Sequence, residues 1–248
     1  MKRALPWMLL VPLSAAAEAP VPKTVQEANA ALAATSEAQQ AAALKALTTA
    51  CRGALRLTAR DDPTLVKRLA ELAKSGGAQA KKGVMDAGRC VRPADLVPML
   101  EAELSAPDPE VVAYAAEAAA RVDDPALVAP LLAAFEKRKT ACKADGLEGP
   151  EAEVCIWLTY APGALLGKAD EPTRTAVAKA AAEMFEAPHP KIREVAVESV
   201  ASARLKVYAE ALAGLIQRET KPGGFQKPNE RALVDRFRSR LAALKKGS

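Results

Sequence analysis

His189 is the one imidazole in the chain, so a Ser-His-Asp or Cys-His relay, or a histidine-rich metal centre, would have to be built on it. It stands between Pro188 and Pro190, in a turn that opens a helix, and the expected role there is to cap that helix. No G-x-S-x-G elbow is present. Gly163-Ala164-Leu165-Leu166-Gly167-Lys168 has the outline of a phosphate-cradling loop. However, Pro162 stands at the first glycine position and Ala169 replaces the hydroxyl that would hold magnesium, so helix-ending punctuation is expected instead. The acid pairs Glu101/Glu103, Glu151/Glu153 and Asp123/Asp124 fall at exposed or capping positions. Trp157 and Tyr160 sit in the apolar run from Val154 to Tyr160 and are expected in the core. The reading is a non-enzyme with no catalytic residue, no cofactor and no metal ligand.

The remaining reactive side chains are Cys51, Cys90, Cys142 and Cys155. None of their spacings is C-x-x-C, which excludes a zinc ribbon or a thioredoxin-type centre. Four cysteines allow three connectivities. Cys142–Cys155 is favoured because it closes the Gly/Glu-rich segment between them, and Cys51–Cys90 follows by subtraction; four buried free thiols are the alternative. Disulfides require an oxidising compartment. The N-terminus agrees: Lys2 and Arg3 precede an apolar stretch from Ala4 to Leu13, followed by Ser14, Ala15, Ala16 and Ala17. That is the layout of a secretory signal peptide over 1–17, and no later stretch is apolar enough to span a bilayer. An exported protein, periplasmic or extracellular, is expected. Loss of Lys2 and Arg3 takes the formal charge from +5 to +3, and interleaved acids and bases elsewhere argue for a solvated surface and against nucleic acid.

The elements that position these residues are helices. Half the chain is apolar, only 4% is aromatic, and Ala and Leu, which lose little entropy in a helix, dominate the apolar count. Asp62-Pro63, Asp108-Pro109 and Asp124-Pro125 each put a capping carboxylate before a proline that has no N–H to leave unpaired. Thr24 with Glu27 and Ser36 with Gln39 have capping-box spacing. The unit from Pro107, with Val112, Ala115, Ala116 and Ala119 at helical spacing, returns 81 residues on, where Pro190 stands for Pro109 and Ile192 follows. A weaker copy lies 32 residues upstream. One such helix pair cannot bury its apolar stripe, so neighbours must stack.

Asp-Pro, a Val/Ile-x-x-x-Ala-Ala helix, Asp-Asp-Pro and a Leu-rich second helix together resemble the short, phycobilisome-lyase-like HEAT repeat of exported bacterial proteins. The resemblance is strongest over 107–138 and 188–219 and weaker over 37–75, 78–105 and 151–187. It implies an all-α, α-α superhelix, a HEAT-like solenoid of about five helix pairs over 24–219, after a short linker at 18–23. A linker over 220–228 and a capping helix within 229–248 follow, the cap carrying Leu233, Val234, Phe237, Leu241 and Leu244 on one stripe. Residues 139–151 read as an insertion in a surface loop tied by a disulfide. In such solenoids the second helices line the concave face. The resemblance therefore puts a partner-binding face on Lys67, Arg68, Glu71, Glu101, Lys137, Arg138, Arg174, Lys179, Glu210 and Arg218. The expected function is a non-catalytic scaffold for a protein or peptide partner. One alternative is a structural envelope protein that uses its basic C-terminal helix on an anionic surface. Another is a subunit or lyase-type role, which would need a free thiol at Cys142 or Cys155.

Overall fold

A computed structural model describes residues 19–221 and 228–246; the expected signal peptide and most of the 220–228 linker lie outside them. Of the described residues 80% are helical, and no strand occurs among them. In chain order the helices are α1 (Val25–Leu32), α2 (Glu37–Ala50), α3 (Leu55–Ala59), α4 (Pro63–Ser75), α5 (Ala78–Ala87), α6 (Pro93–Leu104) and α7 (Pro109–Val122). They continue as α8 (Val128–Arg138), α9 (Gly149–Ala164), α10 (Glu171–Ala182), α11 (Pro190–Ala203), α12 (Ala209–Glu219) and α13 (Pro228–Lys246).

The expected caps form. Asp62 accepts from the Leu65 amide, Asp108 from Glu110 and Asp124 from Ala126, and Asp170, which the sequence reading passed over, accepts from Thr173. Thr24 accepts from the Glu27 amide, but the Glu27 carboxylate reaches back to the Lys23 amide rather than to that of Thr24. His189 is a cap as expected, its Nδ1 accepting from the Lys191 amide at 3.2 Å.

The 81-residue recurrence is structural to the residue. α7 and α11 are both 14 residues long and α8 and α12 both 11. Each first helix of these two pairs ends on a left-handed residue, Asp123 (φ 55°) and Arg204 (φ 57°), and a 3-10 turn then leads into the second helix.

The helices pack in two layers. The first helices α2, α5, α7, α9 and α11 stack in one layer, which α13 completes; the second helices α4, α6, α8, α10 and α12 form the other, which α1 begins. Five pairs are thus flanked by a helix at each end, with α3 as a short addition between α2 and α4. Approach is closest in the first-helix layer, above all among α7, α9 and α11, while second helices touch one another more sparsely. Small side chains permit this: Ala113, Ala115, Ala116, Ala118 and Ala119 of α7 are all buried. At the α9–α11 crossing a Cβ on Gly163 would lie 2.6 Å from Ser199 Cα, so the glycine serves a backbone approach as well as standing near the helix end. Between the layers runs one apolar core from Ala28 to Leu244.

Two buried ion pairs recur at matching places. Lys81, in the first turn of α5, meets Glu103 of α6 at 2.8 Å, and Arg193, in the first turn of α11, meets Glu219 of α12 at 2.7 Å. Arginines also hook one second helix to the end of the one before it. Arg138 donates to the carbonyls of Ala106 and Pro107, and Arg218 to that of Phe185.

Both disulfides of the favoured connectivity are present. Cys51–Cys90 joins the end of α2 to the 3-10 turn after α5, and Cys142–Cys155 joins the turn after α8 to α9, each with Cα atoms 5.4 Å apart. The expected insertion is short: it contains the 3-10 turn Ala141–Lys143, and α9 already begins at Gly149. Gly146 (φ 71°) and Gly149 (φ 57°) make the left-handed turns that bring Cys142 back over α9.

Candidate functional surfaces

The outward side of each layer is a surface of side chains. On the second-helix side the structure places all ten expected partner-binding residues: Lys67, Arg68 and Glu71 on α4, Glu101 on α6, Lys137 and Arg138 on α8, Arg174 and Lys179 on α10, and Glu210 and Arg218 on α12. Seven are exposed, whereas Arg68, Arg138 and Arg174 are half-buried. Some are engaged within the fold. Arg68 pairs with Glu71 at 3.5 Å, and Arg218 pairs with Glu186 at 2.8 Å besides its bond to Phe185. Arg138 is one of the carbonyl hooks, so its guanidinium is already committed.

The first-helix side carries a set that the sequence reading missed. On its outward stripe, α7 presents Glu110, Tyr114, Glu117 and Arg121. The Tyr114 hydroxyl donates to the Glu110 carboxylate, and the ammonium of Lys82 from α5 lies 4.5 Å from the centre of the Tyr114 ring. Burial, together with that hydrogen bond to a carboxylate, pushes the Tyr114 phenol up to about 12, so it stays protonated at neutral pH. Arg121 bonds to Glu117 at 2.6 Å and reaches Asp86 of α5 at 3.4 Å. At the far end Arg236 and Arg240 of α13 face Glu194 and Glu198 of α11, at 2.9 and 2.8 Å. Matching pairs four residues apart, one acidic and one basic, were the available signal for that contact.

Between these two ladders of paired charge the α9 stripe is different. Its outward residues include Trp157 and Tyr160, whose rings meet edge-to-face with centroids 5.8 Å apart, and Ala164. This corrects the core expectation for Tyr160, which is 36% exposed, whereas Trp157 is half-buried and packs against the core from its edge. The run Val154–Tyr160 is apolar all round because α9 is central, so hydrophobicity alone did not reveal which side faces out.

Among the described residues no group of three or more His, Cys, Asp or Glu side chains is placed to hold a metal ion, and no helix is long and apolar enough to cross a membrane. Cys142 and Cys155 are bonded to each other, so neither offers a thiolate.

The class this arrangement defines is an all-α helical-repeat protein of two stacked layers. No family model matches the chain, and no curated protein matches it. Solved structures do. Two engineered proteins, each a crystal structure from the Northeast Structural Genomics Consortium, superpose with TM-scores of 0.60 and 0.62 at 14% and 15% identity. The matches cover 90% and 89% of this chain and 97% and 98% of theirs, which establishes the likeness of fold.

Proposed function

We propose that this chain is an exported, non-catalytic scaffold of the HEAT-like kind that binds a protein or peptide partner. The observation that carries this is the apolar window at Trp157 and Tyr160, set between two ladders of paired charge on the first-helix side. Aromatic anchors within a polar rim are the usual build of an interface hot spot, because rigid rings contribute large contact area at little entropic cost. The second-helix charges named from the resemblance are the rival surface. The two disulfides fit a protein of an oxidising compartment.

The structural-envelope alternative relies on the basic residues of α13. Arg236, Arg238 and Arg240 are each held in an ion pair with Glu194, Asp235 and Glu198, which leaves less free charge for an anionic surface.

The test is capture of the tagged, oxidised protein from its native envelope fraction, followed by cross-link mapping and variant binding. Y160A and W157A are expected to weaken a captured partner by about 2 kcal/mol or more each, with melting temperatures recorded alongside. Full binding by both variants, with loss in K67E/K137E/K179E, would move the interface to the second-helix side. Capture of no protein would sink the scaffold reading.

A further inference from the structure

One cleft among the described residues combines an apolar floor with a basic rim. It opens between α3, the 3-10 turn Gly88–Cys90 and the end of α7, with a volume of about 160 Å3. Its floor is apolar, formed by Met85, Val91, Leu96, Ala118 and Val122, and its rim carries four guanidinium groups, Arg56, Arg60, Arg89 and Arg121. No carboxylate lines it. Arg121 is occupied by Glu117 and Asp86, and neighbouring Arg92 by Asp61 and Asp95. Arg56, Arg60 and Arg89 are exposed and have no acidic partner among the described residues.

Like charges gathered without counter-charge repel one another, so a fold does not assemble them for its own stability. Here a covalent bond holds them together. Cys51 ends α2 just before the segment that carries Arg56 and Arg60, and Cys90 follows Arg89 directly, so the Cys51–Cys90 bridge ties the two arginine-bearing segments to each other. The α3 helix, which has no counterpart in the other four pairs, brings Arg56 to the rim and ends at Arg60.

We propose that this cleft binds a small amphipathic anion, an oxyanion attached to an apolar body about the size of a benzene ring. The guanidinium fork matches planar carboxylate and tetrahedral phosphate oxygens with paired N–H donors, and it is the side chain best suited to such groups. An apolar void of about 150 Å3 takes a benzene-sized group, so the floor accommodates the body while the rim holds the charge. Arg56 and Arg89 hold the anion from opposite segments, and Arg60 neutralises it further. Arg121 belongs also to the charge ladder beside the proposed partner-binding surface, but Arg56, Arg60 and Arg89 do not, so the anion site does not depend on that reading.

The experiment is calorimetric titration of the full oxidised chain with phenylphosphate, benzoate, inorganic phosphate and benzyl alcohol. At least one ring-bearing anion is expected to bind about tenfold or more tighter than either inorganic phosphate or benzyl alcohol, since each of those lacks half of the recognition. Preference between phenylphosphate and benzoate tells whether the site is made for phosphate or carboxylate. R56Q and R89Q, both at exposed positions, are each expected to weaken that ligand about tenfold, and K206Q, on the distant 3-10 turn before α12, to leave it unchanged. No saturable binding of either ring-bearing anion overturns the proposal. So does binding that R56Q and R89Q leave intact, or inorganic phosphate binding as tightly as phenylphosphate, which would mark general surface charge only.

Discussion

His189 shows how a lone reactive side chain can be wholly absorbed by local structure. Its imidazole does at α11 what the Asp108 carboxylate does at α7, accepting from the amide two residues on. The bond requires an unprotonated Nδ1, with the ring proton on Nε2. H189A is expected to lower stability by about 1 kcal/mol and H189D to retain it, as read from urea midpoints near neutral pH. A loss of function in H189D with unchanged stability would instead give the imidazole a chemical role. Other single residues were less open to inspection. Lys81 and Glu103 are 22 positions apart, and nothing in either local pattern marks them as a buried pair, because the pairing arises only when α5 and α6 pack. Tyr160 points outward from an apolar run for the same kind of reason: the side it takes is decided by where α11 and α7 lie.

The elements were legible where punctuation is chemical. Asp-Pro dipeptides announce helix starts through a carboxylate acceptor and a missing N–H, and both ingredients are readable one residue at a time. The recurrence over 81 residues survives in cap, length, left-handed terminus and 3-10 turn because all four serve the same stacking geometry. α3 was not legible: five residues between two longer helices carry too little periodicity to stand out. Close helix approach was only half legible. Alanines point to it, but Gly163 read as punctuation, whereas Ser199 on the facing helix shows the backbone contact it permits; the Ser199 hydroxyl bonds to the Thr159 carbonyl at 2.7 Å. G163A is therefore expected to cost about 1–3 kcal/mol by forcing α9 from α11. G167A, whose Cβ would meet nothing within 4 Å, is the control and should cost far less. Equal effects of the two would mean that the α9–α11 crossing has room to spare.

At the scale of the whole molecule, a helical repeat is close to a one-dimensional array in which each pair depends on its neighbours. The two disulfides are unevenly placed along that array. One ties α2 to the turn after α5, the other the turn after α8 to α9, and none joins α10 to α13. By loop-closure entropy each contributes about 3–4 kcal/mol against unfolding. Amide exchange of the oxidised protein is expected to run faster in α10–α13 than in the cross-linked pairs, and reduction should narrow the difference. Uniform exchange along the oxidised chain would show that the array unfolds as a single unit.

The same placement sets how far the molecule can be drawn out. The bridges short-circuit 39 and 13 residues of chain, which at about 3.3 Å per residue is roughly 170 Å of contour. Stretched between its termini, the oxidised protein keeps that length in reserve even after every helix has come apart. A reductant then acts as a release, paying out slack from the first pairs onward while leaving the span of α10–α13 as it was.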